Sequence, residues 1–308
     1  MLTERSPRIA AAHRLLRRSR RSESGEFLAE GAPSVREAIG YARDNPGAIL
    51  ELYVTETAGG KHLDMVRGAF AAGVPVTQVT ERAAATLSDA VAPQGIVVRC
   101  ALPDSDLEQV LAVSPRLLAV LVQTNDPGNA GTVIRLADAA GADGVIVAGD
   151  AVDPYNPKAV RASAGSLFHL PVVHVDDPEG LVKRLSEAGL SVLATTGAAG
   201  LDLDTAADGG ILELPTAWLF GSESHGLPDD LVALADESVR VPIYGRAESL
   251  NLATAAAICL YASASAHRRT GSQPQHVTRL LADLEAQNDA RSEAQNDAQV
   301  EAARIREL

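Results

Sequence analysis

Cysteine is almost absent from this 308-residue chain. Cys100 and Cys259 lie far apart, and neither has a second ligand at zinc spacing. That excludes a disulfide framework and a structural metal site, and it points to a reducing, cytoplasmic setting. Long apolar runs are missing too. Stretches such as Leu117 to Val122 fall far short of the roughly 20 residues that cross a bilayer, and arginine crowds the first residues where a signal segment would carry an apolar core. Neither membrane insertion nor export is expected. Hydrophobic residues, by contrast, make up 46% of the chain, ample for the core of one large domain or two ordinary ones.

Net charge is −13, which argues against a nucleic-acid partner when taken as an average. The distribution is uneven. Arg5, Arg8, Arg14, Arg17, Arg18, Arg20 and Arg21 form a basic arm over residues 1–24, while acidic residues gather in the middle and at the C-terminus. Charge alone leaves two readings open: an arm that finds phosphate, through Arg14, Arg17 and Arg18 among others, or a solvated, partly helical tail.

Residues 25–101 alternate strand and helix. Strands are expected at Glu26–Glu30, Ile49–Thr55, Val74–Val79 and Gly95–Ala101, with a helix after the Gly-Ala-Pro turn that Ser34 could cap, and others at Leu63–Ala72 and Glu81–Ser88. This pattern predicts a small α/β sandwich. Residues 102–115 start polar and read as a linker. From Arg116 a second domain begins with Leu117–Gln123, a continuous apolar run of the kind buried in parallel sheets. A helix at 130–141, a strand at 144–148, a helix at 181–188, strands at 190–195 and 217–220, and a long alanine-rich helix at 249–266 extend it to residue 269. From 270 to 308 the chain turns polar, and EAQNDA recurs at 285–290 and 293–298. That tail reads as a solvated helix or a disordered segment.

The strand Leu117–Gln123 leads into NDPGNAGTVIR at 125–135, where Gly128 and Gly131 do not fit G-x-G-x-x-G and no G-K-[ST] follows. A dinucleotide-dependent dehydrogenase is therefore disfavoured. What stands there is Asn129 at a helix start and Arg135 about two turns on, which by themselves read as an N-cap and a surface arginine. Two later stretches change the balance. FGSESHGLP at 220–228 sets Glu223 between glycines in a loop that can bring backbone amides to a ligand. VPIYGRAESLNLATAAAI at 241–258 places Ser249 and Asn251 at the mouth of a helix of small residues.

In order and spacing these three stretches resemble the motifs of the SpoU, or TrmH-like, RNA ribose 2′-O-methyltransferases of the SPOUT superfamily. The resemblance covers residues 116–268 and implies a parallel α/β sheet with a deep trefoil knot, a homodimer, and S-adenosyl-L-methionine held mainly by backbone. The positions matching that cofactor site are Thr196, Gly197, Phe220, Gly221, Val241, Ile243 and Leu250. Phe27–Gly31, Val35–Ile39 and Pro93–Val97 are similar to the RNA substrate-binding domain fused to several 23S rRNA enzymes, itself like kink-turn-binding ribosomal proteins. Structured RNA, and rRNA before tRNA, is the implied substrate; the family includes enzymes that confer ribosome-antibiotic resistance. A non-catalytic RNA-binding protein is the alternative of a different class.

By resemblance Arg135 is the central catalytic residue, with Asn129, Glu223, Ser249 and Asn251 arranging the hydroxyl and its phosphate, and no metal takes part. A guanidinium stays protonated, with a pKa above about 12, so Arg135 suits a phosphate clamp and alkoxide stabiliser better than a free base. Arg161 is a further candidate for RNA phosphate, with an ordinary surface salt bridge as the competing reading.

Overall fold

A computed structural model describes residues 1–270. Two β-sheets organise it. The first contains β1 (Glu26–Glu30), β2 (Ile49–Val54), β3 (Val76–Gln78) and β4 (Ile96–Ala101) in the order β1-β4-β2-β3. β4 is antiparallel to β1 and β2, and β3 is parallel to β2. Its helices are α1 (Pro7–His13), α2 (Arg18–Ser24), α3 (Ala32–Asp44), α4 (Glu56–Lys61), α5 (Leu63–Ala71) and α6 (Glu81–Thr86). Side chains alternate between its faces, as the period of two requires. Phe27, Ala29, Leu52 and Val98 pack with Val35 and Ala38 of α3, whereas Leu28, Tyr53 and Val97 pack with Ile9 and Ala12 of α1 and Ala83 of α6.

The arginine-rich start is therefore no free arm. Ile9, Ala12 and Leu15 are buried, and Arg21 itself is 2% exposed, because the helices need an apolar face to dock on the sheet. Two further expectations are corrected. Ser34 lies inside α3, whose N-cap position is Gly31. The expected linker holds α7 (Leu107–Ala112), closed by a capping box from Asp106 and Gln109 and buried through Leu107 and Val110.

The second sheet has seven strands, all parallel: β5 (Leu117–Val122), β6 (Gly144–Ala148), β7 (Val172–Val175), β8 (Ser191–Thr195), β9 (Leu201–Asp202), β10 (Thr216–Phe220) and β11 (Glu237–Arg240). Their order is β7-β6-β5-β10-β8-β11-β9. Helices α8 (Pro127–Ala140), α9 (Pro157–Ser163), α10 (Pro178–Glu187), α11 (Leu203–Asp208), α12 (Asp229–Leu234) and α13 (Leu252–Arg269) cover it. β5 is buried at every position, since helices lie on both faces: Leu117, Ala119 and Leu121 meet α8 and α13, while Leu118, Val120 and Val122 meet α7, α10 and α12.

One apolar cluster runs through both units without a break. At the junction Phe27 packs on Tyr155 with ring centroids 4.9 Å apart, and Tyr41 on Phe168 at 5.9 Å. Arg21 donates to Asp153 at 2.6 and 2.8 Å and to the Leu15 carbonyl at 2.8 Å. His169 sits between Asp138 of α8 and Glu37 of α3. The seven-stranded sheet and the small sheet thus share a packed, charged seam. Among the described residues no helix is long and apolar enough to cross a membrane. Residues 271–308, with the repeated hexapeptide, lie outside the described residues.

Candidate functional site

Open parallel sheets bind ligands beyond the carboxyl ends of their strands, where connections diverge to opposite sides. Here that crevice lies between β5 and β10: β6 and β7 extend to one side of β5, and β8, β11 and β9 to the far side of β10. Asn129 enters it from the β5 side. The helix does not begin at Asn129 but at Pro127, and its cap is Asp126, whose carboxylate accepts from the Asn129 N–H at 2.8 Å. Proline at the first helical position, behind an aspartate, is the arrangement helix starts favour. Asn129 is then the third helical residue, and its side chain is released from capping.

That side chain joins the other two motifs. Its Nδ2 donates to Glu223 Oε1 at 2.6 Å, and its Oδ1 accepts from Asn251 Nδ2 at 3.1 Å. Asn251 Oδ1 in turn accepts from the N–H groups of Ala253 and Thr254, capping α13. Every amide orientation is set by its neighbour. The result is a directional relay from the amino end of α13, through Asn251 and Asn129, to the Glu223 carboxylate.

Glu223 is presented by a tight backbone turn. Ser222 and Gly226 exchange N–H···O bonds at 3.1 and 2.9 Å, and Gly226 adopts φ +71°. A Cβ on Gly221 would fall 2.1 Å from the Gly226 carbonyl carbon and 2.2 Å from the Leu227 nitrogen. Only glycine permits that approach.

Beside the relay, the adjacent parallel strands β8, β10 and β11 release the loops 196–200, 221–228 and 241–251 from one edge. Thr195 Oγ1 donates to the Leu219 carbonyl at 2.7 Å, and the Thr196 N–H to the Val239 carbonyl at 3.1 Å, tying the three strand ends together. Gly197 faces open space, Thr196, Gly221, Val241 and Leu250 are half-buried, and Ile243 is 38% exposed. Phe220 is buried and stacked on Trp218, so it can offer the site only backbone. Backbone groups beside partly uncovered apolar side chains suit an adenosine-bearing sulfonium, and the residues present fit S-adenosylmethionine.

The other expected residues fall outside the relay. Arg135 is exposed on α8, about 240° around the helix from Asn129 at 3.6 residues per turn, and among the described residues it has no ion-pair or hydrogen-bond partner. Ser249 is exposed and likewise has no side-chain hydrogen bond. Arg14, Arg17 and Arg18 are exposed. Arg18 donates to the Ala151 carbonyl at 3.2 Å, which sets α2 at the same edge of the large sheet as the crevice. Arg161 takes the competing reading, paired with Glu30 and Asp89 across the domain seam. Two residues of the site were not foreseen: Asp126, legible in principle from its Asp-Pro pair, and Lys158, whose Nζ meets Asp126 Oδ2 at 2.8 Å and has no local sequence signal.

Comparison with known proteins places this seven-stranded parallel sheet, with the relay at its divergence point and the small α/β unit beside it, among the SPOUT-class methyltransferases. Residues 116–261 match the SpoU rRNA methylase family and residues 6–98 an MRM3-like substrate-binding domain. The chain belongs to the SpoU family, and with it to the S-adenosylmethionine-dependent 2′-O-methyltransferases of RNA. It is 33% identical to the 23S rRNA (guanosine(2553)-2′-O)-methyltransferase RlmP of Bacillus subtilis over 245 residues, covering 78% of this chain and 89% of that one. It is 40% identical to a 23S rRNA (uridine(2479)-2′-O)-methyltransferase of Streptomyces viridochromogenes over 174 residues, 55% of this chain and 60% of that one. The crystal structure of the SpoU methyltransferase AviRb from the same organism, in complex with the cofactor AdoMet, superposes with a TM-score of 0.72 at 32% identity, covering 86% of this chain and all of that one.

Proposed function

We propose that this protein transfers a methyl group from S-adenosylmethionine to a ribose 2′-hydroxyl in 23S rRNA. The observation that carries the reading is the meeting of Asn129, Glu223 and Asn251, brought from three separated stretches into one hydrogen-bonded relay at the sheet's divergence point. The donor supplies an electrophilic methyl group when bound. The chain's own task is to orient the hydroxyl and ease the departure of its proton. Asn129, fixed on both sides, orients the ribose, and Glu223 is the carboxylate within reach of a hydroxyl proton. Thr196, Gly197, Gly221, Val241, Ile243 and Leu250 line the donor side. Arg135 serves the phosphate, as does the exposed face of Arg14, Arg17 and Arg18.

The relatives named above act on a guanosine and a uridine of 23S rRNA, so the shared element is the ribose and not the base. A homodimer is part of the proposal. Ile258 and Tyr261 are 39% and 45% exposed, one turn apart on α13, which packs on α8, the helix of Arg135; a second copy would cover them. The trefoil knot belongs to the proposal as well, and is supported by the path from β11, beyond β8, back to α13 against β5 and β10. So does a cytoplasmic site of action, in keeping with two buried free thiols.

The test is Arg135→Ala with calorimetric titration of S-adenosylmethionine and ribose-methylation mapping of 23S rRNA. Methyl transfer should vanish while donor binding persists. Wild-type protein that binds the donor yet methylates no 23S ribose refutes the assignment.

A further inference from the structure

Helix α9 carries two cations one turn apart, Lys158 and Arg161, and they are placed in opposite circumstances. Arg161 is held by two carboxylates, of which Glu30 is 9% exposed. Lys158 is 53% exposed and meets one carboxylate, Asp126, itself 43% exposed. The other oxygen of Asp126 receives the Asn129 N–H, so the ammonium stands one capping residue away from the relay. Gly128 leaves room for both partners: a Cβ there would lie 2.8 Å from Asp126 Oδ1 and 3.1 Å from Lys158 Cε.

An ion pair this exposed is worth about 1 kcal/mol or less, so exchanging its carboxylate for another oxyanion costs little. An ammonium has three donors on a flexible stem, and the contact with Asp126 uses one of them. A ribose resting against Asn129 brings its own flanking phosphates to the mouth of the crevice, where Asp126 and Glu223 would otherwise repel them. Building on the proposed RNA reading, we infer that Lys158 is a phosphate contact of the RNA substrate, parked on Asp126 until a backbone phosphate of the target strand takes that carboxylate's place.

Asparagine caps helices as well as aspartate does, so Asp126→Asn removes the competing charge and keeps α8 closed. Binding of the full-length protein to protein-free 23S rRNA is measured across a salt series. Lys158→Gln should weaken binding and lower the salt slope by about one, Lys158→Arg should restore the slope, and Asp126→Asn should bind as tightly as wild type or tighter. The chain has three lysines, Lys61, Lys158 and Lys183, and all are exposed, so amine acetylation read by mass spectrometry gives a second view. RNA should protect Lys158 with Lys61 and Lys183 as internal references. An unchanged slope for Lys158→Gln, equal weakening by Asp126→Asn, or Lys158 acetylation indifferent to RNA each overturns the inference, and the second outcome makes the pair a structural clasp of α8. Wild-type methylation of the same RNA separates the two levels. If it occurs while Lys158 is inert, the inference alone fails; if it does not occur, the functional reading fails and takes the inference with it.

Discussion

Replacing Asn129 by aspartate tests the relay at its centre, because the change alters one group and keeps the shape. The oxygen that accepts from Asn251 survives, whereas the N–H that donates to Glu223 Oε1 at 2.6 Å becomes a second carboxylate oxygen. The charge-assisted hydrogen bond lost is worth about 1.5–3 kcal/mol. If the pair opens to about 4 Å, roughly 4 kcal/mol of repulsion stands in its place at an effective dielectric of about 20. Water at this exposed pair screens much of that, which leaves on the order of 3 kcal/mol, or about 100-fold in kcat at neutral pH. The defect carries its own remedy, since one proton shared between two close carboxyl groups restores a donor. Methyl transfer by Asn129→Asp should therefore recover as pH falls, while Asn129→Ala, which has nothing to protonate, stays low throughout. The assay is transfer of labelled methyl to 23S rRNA over a mildly acidic to mildly alkaline range, with donor affinity measured at each pH. Wild-type rates for Asn129→Asp at neutral pH, or a loss that is identical for both variants at every pH, would refute the relay's role in orienting the hydroxyl.

Gly221→Ala forces a Cβ to about 2 Å from backbone that has no free end to swing aside; donor binding measured calorimetrically should fall by at least tenfold while the far-ultraviolet dichroism is kept. Arg21→Ala strands Asp153 at the seam between the units, and breaking a buried pair costs about 3 kcal/mol, read as a drop of roughly 5 °C in Tm for a chain of this length. His169, bonded to Asp138 and to Glu37 across the same seam, has its pKa pushed up to about 9, chiefly by the Asp138 hydrogen bond. Its folded value lies above its ordinary 6.5, so the stabilisation is complete below about pH 6.5 and is lost as pH rises through about 9. The Tm of the wild type should decline over that interval, and His169→Gln should flatten the decline.

The parts of this architecture that were legible in the sequence are those whose own side chains enforce them. Six consecutive apolar residues from Leu117 to Val122 have the length and pattern of a strand covered on both faces, and β5 is that strand. β11 could not be read in this way. Glu237, Ser238 and Arg240 are polar, only Val239 is buried, and the strand exists because β8 and β9 offer it ladders on both sides. The same division runs through the site. Asn129, Glu223 and Asn251 could be picked out by resemblance, but their meeting depends on Asp126 taking over the cap, which frees an asparagine that local reading assigns to capping duty. Arg161 shows the converse, since a basic residue near a presumed RNA path is paired when folding brings Glu30 and Asp89, far away in sequence, against it. Lys158, held by a single half-exposed carboxylate, is left freer than Arg161, and nothing within a few residues of it announces that fact. Charge at an interface is therefore settled by long-range pairing, and a count of arginines predicts where phosphate could be met only after the carboxylates that compete for them have been located.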